Sequence, residues 1–293
     1  MSAADANPDP EASAGPEVPQ APEAGPHPMA ELVPQAPSAV AVIIPAKDEA
    51  QRIAATVAAA KQVPGVDLVM VIDDGSTDDT GRLARRAGAE VMTHRKNRGK
   101  AQAMMTGAFA VRNREISNLK PGERPRHRAL LFIDADLEDS ALNTAPLATP
   151  VLAGEADMTI AILPPQKRSG GGFGLVVGLA RKGIAELSGF QATQPLSGMR
   201  CLTREAFEVA LPFASGWGVE AAMTIDVVNA GLRVAEVECE LHHRVTGRDF
   251  KAQVHRAAQY RDVLRALTVR RARRLTSSGR LESLRRMLMR RNA

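Results

Sequence analysis

Two aspartates, Asp134 and Asp136, directly follow a run of four apolar residues at positions 130–133. A run this short and this apolar predicts a strand that is buried on both faces of a parallel sheet. Ligands bind at the carboxyl edge of such sheets, and side chains two positions apart on a strand point the same way. The pair therefore predicts a site for a hard divalent cation such as Mg²⁺, which also binds substrate phosphates. The alternative interpretation is a pair of solvated acids that cap a strand.

Polar clusters also follow two earlier apolar segments, at positions 45–49 and 73–80. The segments of the first half alternate between strand and helix patterns. Strands are predicted at 39–44, 68–72, 90–93 and 130–133, with helices between them at about 53–61, 80–88 and 101–112. This alternation predicts an α/β fold, with a mostly parallel sheet flanked by helices and the three polar clusters at one edge.

The second half of the chain has a less regular pattern. Strands are predicted at 158–163, 199–202 and 232–241, with helices at 175–187, from 203 onwards and up to 230. Residues 113–128 are polar and basic, which indicates an exposed connection, and 169–174 form a glycine-rich loop.

Composition limits the class of protein. Hydrophobic residues make up 44% of the 293 residues but aromatic residues only 3%, so the core must be mostly aliphatic. The two cysteines, Cys201 and Cys239, match no metal-binding spacing, which favours a reducing, cytoplasmic compartment. No apolar run approaches the roughly 20 residues that a membrane span needs, and we expect no signal peptide.

Charge and proline content divide the chain into three parts. Residues 1–37 are rich in proline and alanine and predict a disordered tail that is dispensable for activity. Residues 38–250 contain all the strand and helix patterns above. Residues 251–293 predict a basic helical extension, since positions 261–293 hold 11 arginines and only two acids.

The basic extension has two interpretations. Apolar residues recur in it at helical spacing, which suits peripheral contact with anionic lipids at the inner face of a membrane. The same pattern suits a helix that packs on the protein's own core or on a second subunit in a homodimer. We do not expect a nucleic-acid partner, because no stacking aromatic residues accompany the arginines.

Four motifs in this order resemble nucleotide-sugar glycosyltransferases of the GT-A fold, in the manner of family 2. They are Val-Ile-Ile-Pro-Ala-Lys-Asp-Glu at 42–49, Asp-Asp-Gly-Ser-Thr-Asp-Asp-Thr at 73–80, Gly-Lys at 99–100 and Asp-Ala-Asp at 134–136. The resemblance covers roughly residues 38–250. The second half is similar to glucosyl-3-phosphoglycerate synthases, through the glycine-rich loop, Gln-Pro-Leu at 194–196, Gly-Val-Glu at 218–220 and a histidine near the last strand.

The resemblance implies transfer of a sugar, with glucose from UDP-glucose as the best candidate, to a small phosphorylated acceptor such as 3-phosphoglycerate. It departs from that family where the glycine-rich loop continues Phe173-Gly174-Leu175 instead of supplying an Arg and a Thr for the acceptor. Polyprenyl-phosphate sugar transferases share the first-half pattern, so a lipid-phosphate acceptor remains the alternative.

The resemblance also implies roles for individual residues. Asp136 is expected to bind Mg²⁺ or Mn²⁺ directly, with His243 as a further metal ligand and the adjacent His242 as its rival. Glu220 is expected to orient the sugar or act as a base, or else to be a plain acid at a helix N-terminus. The residues expected to bind the nucleotide sugar are Pro45, Ala46, Glu49, Asp74, Lys100, Asp134 and Ala135.

Two other classes of function compete with this interpretation. A nucleotidyltransferase would need a glycine-rich loop containing Arg straight after the first strand, where this chain has Pro-Ala-Lys-Asp-Glu at 45–49. A non-catalytic nucleotide-sugar-binding protein would not need the intact Asp-Ala-Asp motif.

Overall fold

The computed structural model describes residues 36–117, 119, 127–164, 173–241 and 257–276. These residues build one sheet of seven strands in the order β3-β2-β1-β4-β6-β5-β7. The strands are β1 (Ala39–Ala46), β2 (Val66–Asp73), β3 (Glu90–Thr93), β4 (Arg128–Phe132), β5 (Met158–Ile162), β6 (Arg200–Leu202) and β7 (Val234–Glu238). The predicted mostly parallel α/β sheet is confirmed, and β6 is the strand that runs antiparallel to both of its neighbours.

Helices cover both faces of this sheet. They are α1 (Ile53–Ala60), α2 (Thr80–Arg86), α3 (Lys100–Ser117), α4 (Ala145–Leu152), α5 (Phe173–Ser188), α6 (Arg204–Val209), α7 (Val219–Asn229) and α8 (257–276). Short 3-10 helices at Glu138–Thr144 and Gly216–Gly218 precede α4 and α7. Within the described ranges, no helix has both the length and the hydropathy that a membrane span requires.

The central strand β1 shows how the apolar pattern forms two cores. Its residues 40–44 are fully buried, and their side chains alternate between the two faces of the sheet. Val42 and Ile44 pack in one hydrophobic cluster with α1 and α4, whereas Ile43 packs in the other cluster with α3, α6 and α7. A continuous apolar run rich in β-branched residues therefore suits a strand with helices on both sides.

The structure differs from the sequence-based prediction at the end of α3. This helix runs to Ser117 instead of ending near Arg112, so part of the predicted connection is helical. The reason is Glu115, whose buried carboxylate accepts hydrogen bonds from the Arg204 guanidinium (3.1 Å) and the Arg128 amide (2.9 Å). These long-range partners stabilise a polar helix end that local sequence does not favour.

The last helix, α8, packs on the protein itself. Val263 and Leu267 are buried in a third hydrophobic cluster with residues of α5 and α7, and Arg270 forms an ion pair with Asp226 of α7. The predicted tail, the glycine-rich loop up to Gly172, both candidate histidines (His242 and His243) and residues 277–293 lie outside the described residues, apart from 36 and 37 of the tail.

The packing of α3 on β1 leads to a prediction about Gly107. In an exposed helix, Gly→Ala raises stability by up to about 1 kcal/mol. A Cβ on Gly107 would overlap Ile43 Cγ2, so we expect Gly107→Ala to lower the free energy of unfolding by about 1–3 kcal/mol. Gly178 in α5 is the matched control, because a Cβ there meets nothing within 4 Å. Urea denaturation should show opposite shifts for the two variants, and equal shifts would contradict the close contact.

Candidate active site

A cavity of about 380 Å³ lies at the carboxyl edge of the sheet, where β1 and β2 end and α3 and α7 begin. Two of the three polar clusters predicted to meet at this edge, 45–49 and 73–80, contribute to its wall. The lining residues are Pro45, Ala46, Lys47, Asp74, Asn97, Gly99, Lys100, Gly216, Trp217 and Glu220.

Asp74 holds the loop on one side of this cavity. Its buried carboxylate accepts hydrogen bonds from the backbone amides of Arg98 (2.8 Å, Oδ1) and Gly99 (2.8 Å, Oδ2). His94 Nδ1 lies 2.7 Å from the same Oδ1, and His94 Nε2 lies 3.1 Å from Thr106 Oγ1. Asp74 therefore fixes the loop that leads into α3 and Lys100. His94 was not predicted as a site residue, because a histidine that follows a short exposed strand has no distinctive sequence pattern.

We expect Asp74→Asn to loosen this loop. The amide would keep one acceptor oxygen but present an NH₂ group to a backbone N–H, which leaves a buried donor without a partner at a cost of about 1–3 kcal/mol. The Michaelis constant for the nucleotide donor that the sequence motifs imply should rise about tenfold or more. Asp79→Asn is the matched control, since the exposed Asp79 pairs with Arg82 at the surface. Equal Michaelis constants for the nucleotide donor in the two variants would contradict the role of Asp74 in anchoring the loop.

Three charged residues, Lys100, Asp134 and Glu220, meet beside the cavity. Lys100 Nζ donates a hydrogen bond to Asp134 Oδ1 (2.6 Å) and lies 3.8 Å from Glu220 Oε1. Burial lowers the pKa of Lys100, but the charges of Asp134 and Glu220 outweigh it and hold this pKa above its ordinary value. Burial raises the pKa of Glu220, and Lys100 and Arg200 oppose that rise. Gly198 lies against Lys100, and a Cβ there would overlap Lys100 Nζ.

Arg200 stabilises the backbone that borders the site. Its fully buried guanidinium donates hydrogen bonds to the carbonyls of Ser197 (2.9 Å) and Pro195 (3.3 Å) and to Thr224 Oγ1 (2.8 Å). Burial lowers the pKa of Arg200 to about 10, and Glu220 and Glu236 oppose this shift, so it is charged at neutral pH. Arg200 was not predicted as a site residue, although an arginine at the start of an apolar strand is a signal that could have identified it.

A second cavity, of about 400 Å³, adjoins the first and shares Lys100, Trp217 and Glu220 with it. The segment 193–198, which Arg200 holds, forms one wall, and α5 and Gln259 of α8 form others. Much of the remaining lining is apolar, from Leu163, Val176, Val177, Pro195 and Leu196. Two adjoining cavities with charged groups at their border can hold two substrates with their reacting atoms close together.

Comparison with known proteins identifies the family. Residues 41–206 match glycosyl transferase family 2 over more than half of the chain. The chain belongs to this family. Among its family 2 relatives, glycosyltransferase AglJ of Haloferax volcanii is 27% identical over 221 residues, covering 73% of this chain and 66% of that protein. A glucosyl-3-phosphoglycerate synthase of Mycolicibacterium paratuberculosis is 30% identical over 213 residues, covering 64% of this chain and 59% of that protein.

A solved structure extends the likeness to the fold. Glucosyl-3-phosphoglycerate synthase from Mycobacterium tuberculosis, in complex with Mn²⁺, UDP and glucosyl-3-phosphoglycerate, superposes with a TM-score of 0.62 at 29% identity over 80% of each chain. This likeness confirms the predicted GT-A fold. The matched part of this family 2 chain nevertheless spans only about 59–66% of the length of the two curated relatives.

The family 2 site brings together most of the predicted residues. Pro45, Ala46, Asp74, Lys100 and Glu220 line the first cavity. Asp134 lines the second cavity and contacts Lys100, which lines both.

Three predicted residues do not line either cavity as the structure describes them. Glu49 is held away because its carboxylate accepts from the Arg52 guanidinium (2.8 Å to Nε). Ala135 is buried, and its carbonyl accepts from Thr56 Oγ1 (2.8 Å). Asp136 is half-buried beside Arg52; the hydrogen bond to Glu49 raises the pKa of Arg52, and the charge of Asp136 adds to that rise.

The two carboxylates that follow β4 fit a hard cation. Asp134 and Asp136 offer carboxylate oxygens one residue apart, and Mg²⁺ commonly uses one or two protein carboxylates together with substrate phosphates and water. In the described part of the chain, no group of three His, Cys, Asp or Glu side chains surrounds such a position. The substrate diphosphate or His243, which the description does not include, would have to complete the coordination.

Proposed function

We propose that this chain is a metal-dependent glycosyltransferase that moves a hexose, with glucose from UDP-glucose as the best candidate, to a small phosphorylated acceptor. The observation that carries the proposal is the meeting of two cavities at Lys100 and Glu220, beside Asp134. Solved family 2 relatives support the choice of substrates. Glucosyl-3-phosphoglycerate synthase from Mycobacterium tuberculosis was crystallised with Mn²⁺, UDP-glucose and phosphoglyceric acid, and it is 28% identical to this chain.

The first cavity would hold the nucleotide. Pro45 and Ala46 end β1 and form the apolar wall for a base, while Asp74 stands beside them as a hydrogen-bond acceptor. Glu49 would contribute to this wall only if its pairing with Arg52 were rearranged. Lys100 would lie near the diphosphate and balance its charge, and the segment from Asp134 through Ala135 would support the ribose.

Asp136 and Asp134 would hold Mg²⁺ or Mn²⁺, with His243 as a further ligand. A bound cation supplies electrostatic stabilisation to the diphosphate that leaves during transfer. The chain's own contribution is to orient these carboxylates, because β4 ends at Phe132, two residues before Asp134, and the 3-10 helix Glu138–Thr144 begins two residues after Asp136.

Glu220 would act on the acceptor side. In the transfer, the bond between the sugar C1 and the diphosphate oxygen breaks and a bond from C1 to the acceptor oxygen forms. The acceptor hydroxyl loses its proton, either to Glu220 or to the departing diphosphate. Burial raises the pKa of Glu220, and such a shift suits a group that exchanges protons. Ser197 lines the second cavity, and its buried hydroxyl has no hydrogen-bond partner within the described residues.

A lipid-linked phosphate is the second candidate acceptor. The apolar lining of the second cavity favours it, as do Tyr260 and Leu264, which are exposed on α8 next to arginines. Anionic vesicles test this candidate by co-sedimentation at low and high salt. Salt-sensitive binding that requires residues 277–293, which lie beyond the described part of α8, would favour the lipid. Absence of binding at every salt concentration would favour the small acceptor.

A donor and acceptor screen tests the proposed function itself. UDP-glucose, other UDP-sugars and GDP-mannose would each be combined with 3-phosphoglycerate or a short prenyl phosphate, with Mn²⁺ or with a chelator. Mass spectrometry of the products should show a hexosyl-phosphoglycerate that forms only with metal. A product that forms with the prenyl phosphate but not with 3-phosphoglycerate would favour the lipid-linked acceptor. If no donor loses its sugar to any acceptor or to water, the proposal is wrong.

A further inference from the structure

The C-terminal helix α8 reaches the wall that the two cavities share. This helix lies well beyond residues 41–206, which match the family. Its Asp262 contacts the 3-10 helix Gly216–Gly218, which immediately precedes α7 and Glu220. Trp217, in the middle of this turn, lines both cavities.

The contact is close because two glycines permit it. The Trp217 amide donates a hydrogen bond to Asp262 Oδ2 at 3.4 Å. Gly216 has a φ of +64°, and a Cβ on it would overlap the same carboxylate oxygen. A Cβ on Gly218 would lie 2.7 Å from the Asp262 carbonyl oxygen and 2.7 Å from Ala266 Cβ. Any larger residue at either position would push α8 away from the turn.

Asp262 also supplies a cap that the turn lacks locally. Ser215 precedes the 3-10 helix and Gly218 precedes α7, but neither makes a side-chain capping hydrogen bond. The first N–H groups of a helix need an external acceptor, and an acidic group near them is stabilising. Asp262 fills that role from a different helix, so the turn depends on α8 for its conformation.

The rest of α8 fixes Asp262 in place. Val263 and Leu267 are buried against Ala221 and Ile225 of α7. Arg270 pairs with Asp226 one turn further along the same helix. The position of Asp262 is therefore tied to the helix that carries Glu220.

We propose that Asp262 is a positioning residue, which sets the conformation of the Gly216–Gly218 turn and through it the placement of Trp217 between donor and acceptor. The part about catalysis rests on the proposed function, whereas the part about the turn does not. Loss of the cap would let Trp217 move, and displacement of a cavity wall by about 1 Å can cost up to about 10²-fold in rate.

Trp217 is the single tryptophan of the chain, so its fluorescence reports directly on the turn. We would measure Trp217 emission, its quenching by acrylamide, melting temperature and steady-state kinetics for Asp262→Ala and Asp262→Asn. Arg271→Ala is the matched control, because it removes another ion pair of α8, with Glu186 of α5, away from the turn.

Asp262→Ala should shift the emission to longer wavelength, increase quenching and lower kcat about tenfold at a little-changed donor KM. Asp262→Asn keeps an acceptor oxygen and should restore most of the emission and of kcat. Arg271→Ala should change only the melting temperature. If Asp262→Ala and Arg271→Ala have the same emission and quenching as the unaltered chain, the proposal is wrong. If the unaltered chain transfers no sugar but the emission shift is seen, the proposed function fails while the role of Asp262 in the turn stands.

Discussion

Asp136→Asn is expected to lower turnover by about 10²–10³-fold, the usual effect of removing one group that stabilises developing charge. The substitution preserves size and removes the negative charge that would hold the cation against the diphosphate. Because Asp136 is half-buried at a strand end and outside both hydrophobic clusters of the sheet, the fold should remain intact. Release of nucleoside diphosphate, measured over a range of Mn²⁺ concentrations, checks the prediction.

Asp139→Asn is the matched control for this variant. Asp139 lies three residues further along the chain, is exposed, and would lose the same charge. Its turnover and its dependence on Mn²⁺ should match those of the unaltered protein. Turnover close to normal in Asp136→Asn would remove the metal-site interpretation, and an equal loss in both variants would indicate a general effect of charge at this edge.

Arg200→Met is expected to cause the largest loss of stability, about 3–5 kcal/mol in the free energy of unfolding. The substitution leaves the carbonyls of Pro195 and Ser197 without their donors in a buried region. It also removes a positive charge that lowers the pKa of Glu220, so this pKa should rise further in the variant. Urea denaturation followed by circular dichroism measures the loss.

Two further variants separate this effect from a general loss of positive charge. Arg200→Lys keeps the charge but cannot reproduce three hydrogen bonds from a planar guanidinium, so it should recover only part of the stability. Arg233→Met breaks the pair with Asp157, in which the Arg233 side chain is 57% exposed, and should cost no more than about 1 kcal/mol. Similar losses for Arg200→Met and Arg233→Met would contradict the structural role of Arg200.

The first cavity was predictable from the sequence because its signals are local. Each polar cluster follows an apolar strand, and parallel strands bring such clusters to one edge whatever the details of packing. Asp74 and Lys100 both line the first cavity, at the edge where their motifs predict them to lie, and their binding of a nucleotide stays a prediction. Glu49 was harder to place. Whether its carboxylate faces the cavity or pairs with Arg52 depends on side-chain geometry, which sequence spacing does not specify.

The other half depends on contacts between distant parts of the chain. Arg200 in β6 donates to two carbonyls upstream and to Thr224, which lies in α7. Asp262 acts on a turn 45 residues earlier. A three-residue strand such as β6 carries no pattern that reveals its direction, so its antiparallel orientation could not be predicted. Hydrophobic periodicity identifies elements, but it does not identify which buried charge pairs with which.

The reversed direction of β6 makes one stretch of the chain a single excursion from the sheet. Because β5 and β6 are antiparallel neighbours, with Ile160 paired to Arg200, residues 163–199 leave the sheet and return to it at the same point. That excursion carries α5 and most of the second cavity's lining, whereas the first cavity is built from other segments. A chimera that receives residues 163–199 from a relative, with the α7 and α8 residues that pack on α5, should therefore change which acceptor is glycosylated and keep its preference among nucleotide sugars.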